Sequence, residues 1–553
     1  MSKLSYLHTI PSVPNSYSTF NDVIKRNAET LSNTEAFIYR SGDGHRQCIT
    51  FSDLYEKGSC VAQYLVTSGV QRQDKVGLFG PNTIPRIVAE FGILLAGAVV
   101  LHLNIDVKNS KDCADVLEKA KCRIIFADPG VHDDFLPTIR SLENRADATD
   151  NRRQLIFLRK PCSTSINHTL INDIQIAYDS SIVLPEVCPE DDAVIFTTSG
   201  STGKPKMVVH GHFAFTVSTE SISDTKFKET KYFNNRPLGW LGGSQAYATV
   251  RGITQVFTDS NLGITRNGIK TIWKIMTEEN VKVAMFMPYC LFDLIAEQDN
   301  IKDDGFRLES IVTGGQIVDG LCTQVIGRFC KTLAVTYGST ETMIISTVLS
   351  NSADFKIGDV GKLSPGVEAR IVDENGRVVP IGEEGEIQIR SRFSMKRYHT
   401  DETMTNKAYT KDRPSWFRIE DIGLITPAGH LIVRGRVKEN ISRGGRKVLP
   451  GVVDDVVKQM EGISLVATVA VPDERLYEEV CVCYVAKDGV DLSPSDVQQY
   501  CTDNFSKVES ADGMGSMPTY FVRFDNFPVF YMGKIDKPTL KRQAADSLNL
   551  SAC

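Results

Sequence analysis

The chain has 553 residues, which is too long for one hydrophobic core and predicts roughly three or four structural units. Its 62 basic and 68 acidic residues nearly balance, so the charge indicates neither a nucleic-acid-binding surface nor a membrane-binding surface. No apolar run approaches the ~20 residues that span a bilayer. The composition, with 42% hydrophobic residues, is that of an ordinary soluble globular protein.

The ends of the chain carry no clear targeting signal. Residues 1–16 lack the apolar core of a secretory signal and the arginines of a transit peptide. Ser551, Ala552 and Cys553 lack the basic central residue of a peroxisomal signal. We therefore expect a cytoplasmic protein, with the mitochondrion as the alternative.

The order of predicted elements indicates the α/β class. Strand-like and helix-like segments alternate through about the first 400 residues. Apolar residues within 269–276 follow the i, i+3, i+4, i+7 spacing of a helix with one buried face. Two apolar runs, 310–313 and 333–335, end in small or polar residues, as strands do where their carboxyl ends carry a site. The alternating segment 385–390 predicts a half-exposed antiparallel strand.

The cysteines and two histidines give little support for a metal site. The 13 cysteines include no CxxC pair, and Cys481 and Cys483 lie on a predicted buried strand. We expect core thiols there, in a reducing compartment, rather than a disulfide or a metal site. His210 and His212 have no third candidate ligand nearby in the sequence, so metal binding by this pair is the weaker interpretation.

Residues 197–206, TTSGSTGKPK, follow the apolar run 194–196 and form the most informative motif. A buried strand that leads into hydroxyl and glycine residues is the arrangement a polyphosphate needs. The spacing of its glycines is not that of the Walker loop, and a flexible Ser/Gly linker is the alternative. The candidate phosphate-binding residues are Thr197, Thr198, Ser199, Gly200, Ser201, Thr202, Gly203 and Lys206.

Four further segments, together with this loop, occur in the order typical of one known family. They are YGSTET (337–342), FRIEDIG (417–423), GRVKENISRGG (435–445) and PVFYMGKIDK (528–537). The upstream segment LLAGAVVLHLN is a weaker sixth match. The chain thus resembles the adenylate-forming superfamily of acyl-CoA synthetases, luciferases and peptide-synthetase adenylation domains. The resemblance covers nearly the whole chain.

This resemblance implies an activity and a set of small-molecule partners. The expected reaction joins a carboxylic acid to coenzyme A at the expense of ATP, through an acyl-AMP intermediate and with release of pyrophosphate. Mg²⁺ would be bound by Glu341, because a hard cation prefers oxygen ligands. By the same resemblance Lys534 is the catalytic lysine, assisted by Glu341 and Thr202.

The resemblance also assigns the nucleotide contacts. Tyr337 would stack on adenine, and Asp421 and Arg436 would contact the ribose or phosphate. From the residues alone, Asp421 and Arg436 are equally compatible with a structural ion pair. The other implied contacts are Gly315 and Gln316 on the far side of adenine, with Gly338 and Thr340 in the YGSTET turn.

The implied architecture has two domains. Residues 1–435 would form a large domain of α/β subdomains and a β-rich subdomain, and residues 436–553 a small, mobile α+β domain. Lys438 matches the position of the hinge, although an ordinary surface turn explains the local composition as well. Arg443, Gly444 and Gly445 would line the channel of coenzyme A.

The segment 237–243, with Gly314, resembles the part of the family that lines the acyl pocket. Trp240 cannot bind an ammonium group as an aspartate would, so the sequence favours an apolar acid, most simply a medium-chain fatty acid. An aryl acid, another acceptor such as a carrier protein or oxygen, and an ordinary core role for Trp240 are alternatives. Val452 departs from the usual glutamate, although Asp454 keeps an acid two residues later.

Overall fold

The computed structural model describes most of the chain and divides it into two compact units. The described residues are 3–10, 17–103, 110–129, 153–161, 168–174, 179, 181–198, 205–220, 230–263, 268–316, 318, 320–351, 354–436, 441–443, 446–473, 477–505, 517–529 and 535–550. The large unit comprises Leu7–Ala369 and Ile389–Phe417. The small unit comprises Met1–Tyr6, Arg370–Gln388 and Arg418–Cys553.

The strands are, in chain order, β1 (Tyr6–His8), β2 (Glu35–Arg40), β3 (Arg46–Thr50), β4 (Lys75–Phe79), β5 (Val99–His102), β6 (Ile124–Ala127), β7 (Gln154–Phe157), β8 (Thr169–Leu170), β9 (Asp192–Thr198), β10 (Lys206–Gly211), β11 (Lys231–Asn234), β12 (Thr254–Phe257), β13 (Val283–Met285), β14 (Leu308–Gly314), β15 (Cys330–Ser339), β16 (Met343–Ser350), β17 (Asp359–Leu363), β18 (Val367–Val372), β19 (Gly385–Ser391), β20 (Arg397–Tyr398), β21 (Phe417–Ile425), β22 (Leu431–Arg436), β23 (Ile441–Arg443), β24 (Arg446–Val448), β25 (Ile463–Asp473), β26 (Tyr477–Ala486) and β27 (Tyr520–Arg523).

The helices are α1 (Phe20–Thr30), α2 (Phe51–Thr67), α3 (Ile84–Leu95), α4 (Ser110–Lys119), α5 (Ile171–Ile174), α6 (His212–Glu220), α7 (Ala246–Arg251), α8 (Gly268–Glu278), α9 (Pro288–Ala296), α10 (Glu402–Ala408), α11 (Pro450–Val457), α12 (Pro494–Phe505) and α13 (Lys537–Ser547). Short 3₁₀ helices span Leu241–Gly243, Ser260–Gly263 and Gly320–Val325.

One sheet of the large unit places the predicted phosphate loop. Its strand order is β20-β10-β9-β5-β4-β6-β7-β8, with β9, β5, β4, β6, β7 and β8 parallel and β10 antiparallel to β9. Helix α3 begins where the Thr83 side chain accepts the backbone N–H of Arg86, with Pro85 in the first turn. It is buried over most of its length, as is typical of a helix enclosed by protein.

A second run of strands in the large unit has the order β3-β2-β12-β11-β13-β14-β15-β16-β17. Strands β2, β12, β11, β13, β14 and β15 are parallel, so their carboxyl ends lie at one edge. The predicted strands 310–313 and 333–335 lie within β14 and β15 and are confirmed. The predicted helix is confirmed as α8, which buries Ile269, Ile272, Trp273 and Met276 in one apolar core.

The small unit contains a five-stranded sheet with the order β24-β23-β26-β25, in which β27 also pairs with β26. Cys481 and Cys483 lie on β26, are buried, and are free thiols, as expected. The predicted strand 385–390 is confirmed as β19. Helices α11 and α12 cover the sheet through an apolar cluster that includes Val453, Val457 and Phe505.

The predicted α/β class is confirmed by these sheets and helices. The predicted domain boundary between residues 435 and 436 lies inside the small unit, and it stays a prediction. The proposed hinge residue Lys438 lies outside the described residues. Among the helices of the described part of the chain, none is long and apolar enough to cross a membrane.

Candidate functional site

Strands β9 and β10 frame the predicted phosphate-binding loop. Thr198 at the end of β9 pairs with Lys206 at the start of β10, so these two residues stand at the base of the loop. The predicted loop residues Ser199, Gly200, Ser201, Thr202 and Gly203 lie outside the described residues. Their roles stay predictions.

Thr197 ties this strand to its neighbour. It is buried, and its hydroxyl donates to the carbonyl oxygen of His102 on β5 over 2.9 Å. This hydroxyl is thus engaged in the interior of the sheet, and the predicted contact of Thr197 with a phosphate stays a prediction.

The YGSTET segment forms the end of β15 and the turn into β16. The pairing of the two strands shifts register between Tyr337 and Gly338. A β-carbon on Gly338 would lie 1.9 Å from the carbonyl oxygen of Met343, so only glycine fits this close approach. The turn therefore presents Thr340 and Glu341 beyond the paired strands.

A tyrosine that the sequence interpretation missed holds the carboxylate of Glu341. The Tyr398 hydroxyl donates to Oε1 of Glu341 over 2.9 Å, and the Lys206 ammonium lies 5.3 Å from the centre of the same ring. Tyr398 belongs to β20, which pairs with β10 at Val208. The strand that leaves the phosphate loop and the acidic turn are thereby linked through one side chain.

His210 and His212 have separate structural roles. Nε2 of His210 lies 2.7 Å from the carbonyl oxygen of Thr340, so this ring also supports the acidic turn. Nδ1 of His212 accepts the backbone N–H of Phe20 over 3.4 Å. Within the described ranges, no group of three or more His, Cys, Asp or Glu side chains is placed to hold a metal ion.

Because His212 is buried, we expect the folded protein to lose stability in mild acid. Burial lowers the pKa of His212 from 6.5 to about 4. Because the unfolded chain then takes up the proton first, the stabilisation is complete above pH 6.5 and is lost as the pH falls towards 4. At pH 5 the free energy of unfolding should be about 2 kcal/mol lower on account of this group.

The measurement is the melting temperature of the protein and of His212→Gln at pH 7 and pH 5. The melting temperature of His212→Gln should fall less between pH 7 and pH 5 than that of the wild type. His45→Gln, the same substitution at an exposed position, is the control and should match the wild type. An equal loss in all three proteins would contradict the prediction.

The segment predicted to line adenine lies at the carboxyl end of β14. A β-carbon on Gly314 would lie 2.2 Å from the carbonyl oxygen of Thr336 on β15, so the two strand ends meet closely here. Gly315 and Gln316 follow and are exposed. Their position beside the end of β15 is compatible with the predicted role, which stays a prediction.

The predicted acyl-pocket segment runs through a tight turn into the 3₁₀ helix Leu241–Gly243. The backbone N–H of Trp240 donates to the carbonyl of Pro237 over 3.0 Å, and Trp240 is partly exposed. Asn82 fixes this turn from one side, since it accepts the backbone N–H of Leu238 over 2.8 Å. Partial exposure suits a side chain that lines a pocket, and that role of Trp240 stays a prediction.

In the small unit, Asp421 and Arg436 face each other directly across β21 and β22. Oδ1 of Asp421 lies 3.4 Å from Nε of Arg436, with Asp421 buried and Arg436 exposed. The structural ion pair that the sequence allowed is therefore present. Ribose binding by these residues stays a prediction.

Arg443, predicted for the coenzyme A channel, makes several bonds inside the small unit. Its Nε lies 2.8 Å from Glu479, and its other nitrogens donate to the carbonyl of Met517 and the hydroxyl of Thr519. Gly444, Gly445 and the predicted catalytic Lys534 lie outside the described residues.

The Asp454 side chain does not substitute for a surface glutamate at position 452. It is partly buried, and Oδ1 accepts the backbone N–H of Thr468 over 2.7 Å. Burial raises the pKa of Asp454. Val452 is exposed, so the position at which the resembled family usually has glutamate carries no charge here.

Comparisons with known proteins agree with the motifs. The sequence profile of the AMP-binding enzyme family matches residues 24–399. The mitochondrial medium-chain acyl-CoA ligase ACSF2 of Danio rerio is 26% identical over an alignment 591 residues long, gaps included. The alignment covers 99% of this chain and 91% of the relative. The human ACSF2 is 24% identical over 577 residues, which cover 99% of this chain and 91% of the relative.

Solved structures share the fold. The anthranilate CoA ligase AuaEII, in complex with anthranoyl-AMP, has a TM-score of 0.81 at 19% identity, covering 97% of this chain and 99% of its own. ATP-bound MatB from Rhodopseudomonas palustris has a TM-score of 0.79 at 19% identity, covering 96% of this chain and 100% of its own. The family profile and the ACSF2 relatives confirm the resemblance inferred from the motifs, and these structures show a shared fold.

Proposed function

Because the chain belongs to the AMP-binding enzyme family, we propose that it is an ATP-dependent ligase that joins a carboxylic acid to coenzyme A. The acid would first attack the α-phosphorus of ATP, forming an acyl-adenylate and releasing pyrophosphate. The thiol of coenzyme A would then displace AMP to give the thioester. The observation that supports this most is the carboxylate of Glu341, held by Tyr398 beside the strand that leaves the phosphate loop.

The first step brings two anions together, so the protein must balance negative charge. Lys206 would supply fixed positive charge at the base of the loop, and the loop hydroxyls and N–H groups would bind the phosphates. Tyr337 would stack on adenine. Asp421 would accept hydrogen bonds from the ribose hydroxyls, and Arg436 would contact the ribose or phosphate.

Glu341 has the chemistry of a Mg²⁺ ligand. It is partly exposed, and among the described residues no lysine, arginine or histidine forms an ion pair with it. Mg²⁺ is commonly held by one or two carboxylates together with substrate phosphates, so a cluster of acids is not required. When bound, the ion would neutralise charge on the phosphates, while Tyr398 orients the carboxylate.

We propose a medium-chain fatty acid as the acid substrate, on the strength of Trp240 in the acyl segment and of the ACSF2 relatives named as medium-chain ligases. An aryl acid is the second candidate, because a neighbour in fold is named an anthranilate CoA ligase. A carrier protein or oxygen in place of coenzyme A is the alternative acceptor. The same relatives are named mitochondrial, and cytoplasmic location stays a prediction.

The decisive experiment measures pyrophosphate release with ATP, Mg²⁺ and acids from acetate to palmitate, plus benzoate and cinnamate, each with and without coenzyme A. Turnover that requires coenzyme A and peaks at one acid would support the proposed ligase and identify its substrate. A single burst that is indifferent to coenzyme A would indicate another acceptor. Thermal stabilisation by ATP without release for any acid would indicate a binding protein instead.

Tyr398→Phe should weaken the response to Mg²⁺ without disturbing the fold. The variant loses the hydroxyl that orients Glu341 and keeps the ring beside Lys206. Loss of such an orienting partner typically lowers metal affinity about 10-fold or more, so half-maximal activity should need about 10-fold more Mg²⁺.

The measurement is the rate of pyrophosphate release as Mg²⁺ is titrated. Tyr55→Phe, on helix α2, is a control that should leave the titration curve unchanged. An unchanged curve for Tyr398→Phe would refute the orienting role.

A further inference from the structure

Two arginines flank the acyl segment 237–243 in the large unit. A β-carbon on Gly239 would lie 3.1 Å from Nη2 of Arg86, and one on Gly242 would lie 2.7 Å from Nη1 of Arg236. Both guanidinium groups are thus in close contact with the segment. An arginine stays protonated in proteins, so each brings a full positive charge to an enclosed place.

The charge of Arg86 is balanced inside the protein. Its Nη2 donates to Nδ1 of His102 over 3.2 Å, and Nε2 of the same ring lies 3.2 Å from Oε1 of Glu90. The other oxygen of Glu90 lies 3.5 Å from Nη1 of Arg86, which closes the cycle. Burial lowers the pKa of His102, so the ring is neutral and the cycle has no net charge. Arg86 therefore has a structural role.

The charge of Arg236 has no such balance. No carboxylate among the described residues forms an ion pair with it, and its Nε has no hydrogen-bond partner there. Among the residues that the structure describes, Nη2 of Arg236 donates only to the carbonyl oxygen of Phe286, over a long 3.4 Å. The nearby ionisable groups are neutral at pH 7, because burial raises the pKa of Tyr232, Tyr289 and Cys290.

Arg236 is enclosed by protein but is not sealed from water. Burial lowers the pKa of Arg236, yet the residue as a whole keeps some accessible surface. This combination is expected of a group that lines a concave site rather than one that points into bulk solvent or into a closed core. A buried cation without a partner costs free energy, which an anionic ligand would offset.

The position of Arg236 relates it to the predicted acyl pocket. It follows the end of β11, Phe286 follows the end of β13, and Gly314 ends β14. These three parallel strands are neighbours in that order, so β11 and β14 are about 10 Å apart along one edge of the sheet. An acid whose reacting carboxylate lay near Gly314 could therefore reach Arg236 with its far end.

We propose that Arg236 binds a second carboxylate at the far end of the acid, and that the substrate is a medium-chain dicarboxylic acid. This inference rests on the proposed ligase function, and it replaces the monocarboxylic fatty acid proposed above with a dicarboxylic acid of similar chain length. The methylene chain would lie along the segment that contains Trp240, and the guanidinium would take the distal carboxylate in a charge-assisted, two-pronged contact.

The test compares acids of equal length with one or two carboxylates, namely hexanoate with adipate, octanoate with suberate and decanoate with sebacate. Pyrophosphate release would be measured for the wild type, Arg236→Met, Arg236→Lys and the control Arg307→Met, a partly exposed arginine paired with Asp303. We expect Arg236→Met to lower kcat/KM for the preferred dicarboxylate at least about 30-fold, and for its monocarboxylate partner less than about threefold. Arg236→Lys should recover part of the loss, and the control should match the wild type.

Two outcomes would overturn the inference: a wild-type preference for the monocarboxylate of every pair, or equal losses for both members in Arg236→Met. Circular dichroism and melting temperature establish whether each variant is folded. If Arg236→Met does not fold, the comparison of Arg236→Lys with the wild type tests the inference. Calorimetric binding of each pair in the presence of a non-hydrolysable ATP analogue separates this inference from the proposed function. Selective loss of dicarboxylate binding, with no pyrophosphate release by any protein, would support the Arg236 site and refute the ligase.

Discussion

Replacing Lys534 with alanine is expected to lower the rate of acyl-adenylate formation on the order of 10²–10⁴-fold and to leave thioester formation from supplied acyl-adenylate near the wild-type rate. The resemblance assigns this lysine to the α-phosphate and the attacking oxygen of the acid, where its charge is needed only while pyrophosphate leaves. The second step has a neutral thiol as its incoming group and AMP as its leaving group, so it does not require the same cation in the same place.

The two steps can be measured separately. Pyrophosphate release reports the first, and thioester formation from synthetic acyl-adenylate and coenzyme A reports the second. Lys541→Ala is a matched control, because Lys541 lies on α13 and forms an exposed ion pair with Glu478. Equal losses in both steps for Lys534→Ala would refute the proposal that the lysine serves only the first step.

Local patterns predicted much of the fold. Helix α8 follows from apolar residues spaced on one helical face, because that spacing alone decides which side of a helix is buried. Strands β14 and β15 follow from short apolar runs that end in glycine or polar residues. In each case the information lies within about ten residues, which is the range over which backbone periodicity acts.

Contacts between distant residues could not be predicted in this way. Tyr398 reaches Glu341 across 57 residues, and His210 reaches Thr340 across 130. A lone tyrosine or histidine carries no local signal of such a partner, since the contact depends on which strands become neighbours. The pairing of β20 with β10 is what brings Tyr398 to the acidic turn.

The roles of individual charged side chains could not be predicted from the sequence alone. Glu90, one helical turn after Arg86, already suggests a partner in the sequence, but only the structure shows that Arg236 has no ion-pair partner among the described residues. Asp454 keeps an acid two residues after Val452, but in the structure its carboxylate is partly buried and accepts the backbone N–H of Thr468. Burial, which the sequence gives only on average, decides the role of each charged side chain.

The carboxylate of Glu341 should have an effect on the rate comparable to that of Lys534. We expect Glu341→Gln to lower the rate of pyrophosphate release on the order of 10²–10³-fold at a fixed Mg²⁺ concentration, with partial recovery at high Mg²⁺. The reason is that an amide keeps the size of the side chain and the hydrogen bond from Tyr398 but removes the negative charge that attracts the cation.

The turn that carries Glu341 is also held by its backbone. The backbone carbonyl of Glu341 accepts the N–H of Met395 over 2.6 Å, a bond that does not depend on the side chain, so the turn should persist in the variant. Glu309→Gln is the control, because Glu309 forms an exposed ion pair with Lys331. Glu309 lies near the start of β14, at the end of the strand away from Gly314. If Glu341→Gln kept the wild-type rate and the wild-type Mg²⁺ titration, Glu341 would be a structural residue of the turn and the metal would have to be bound elsewhere.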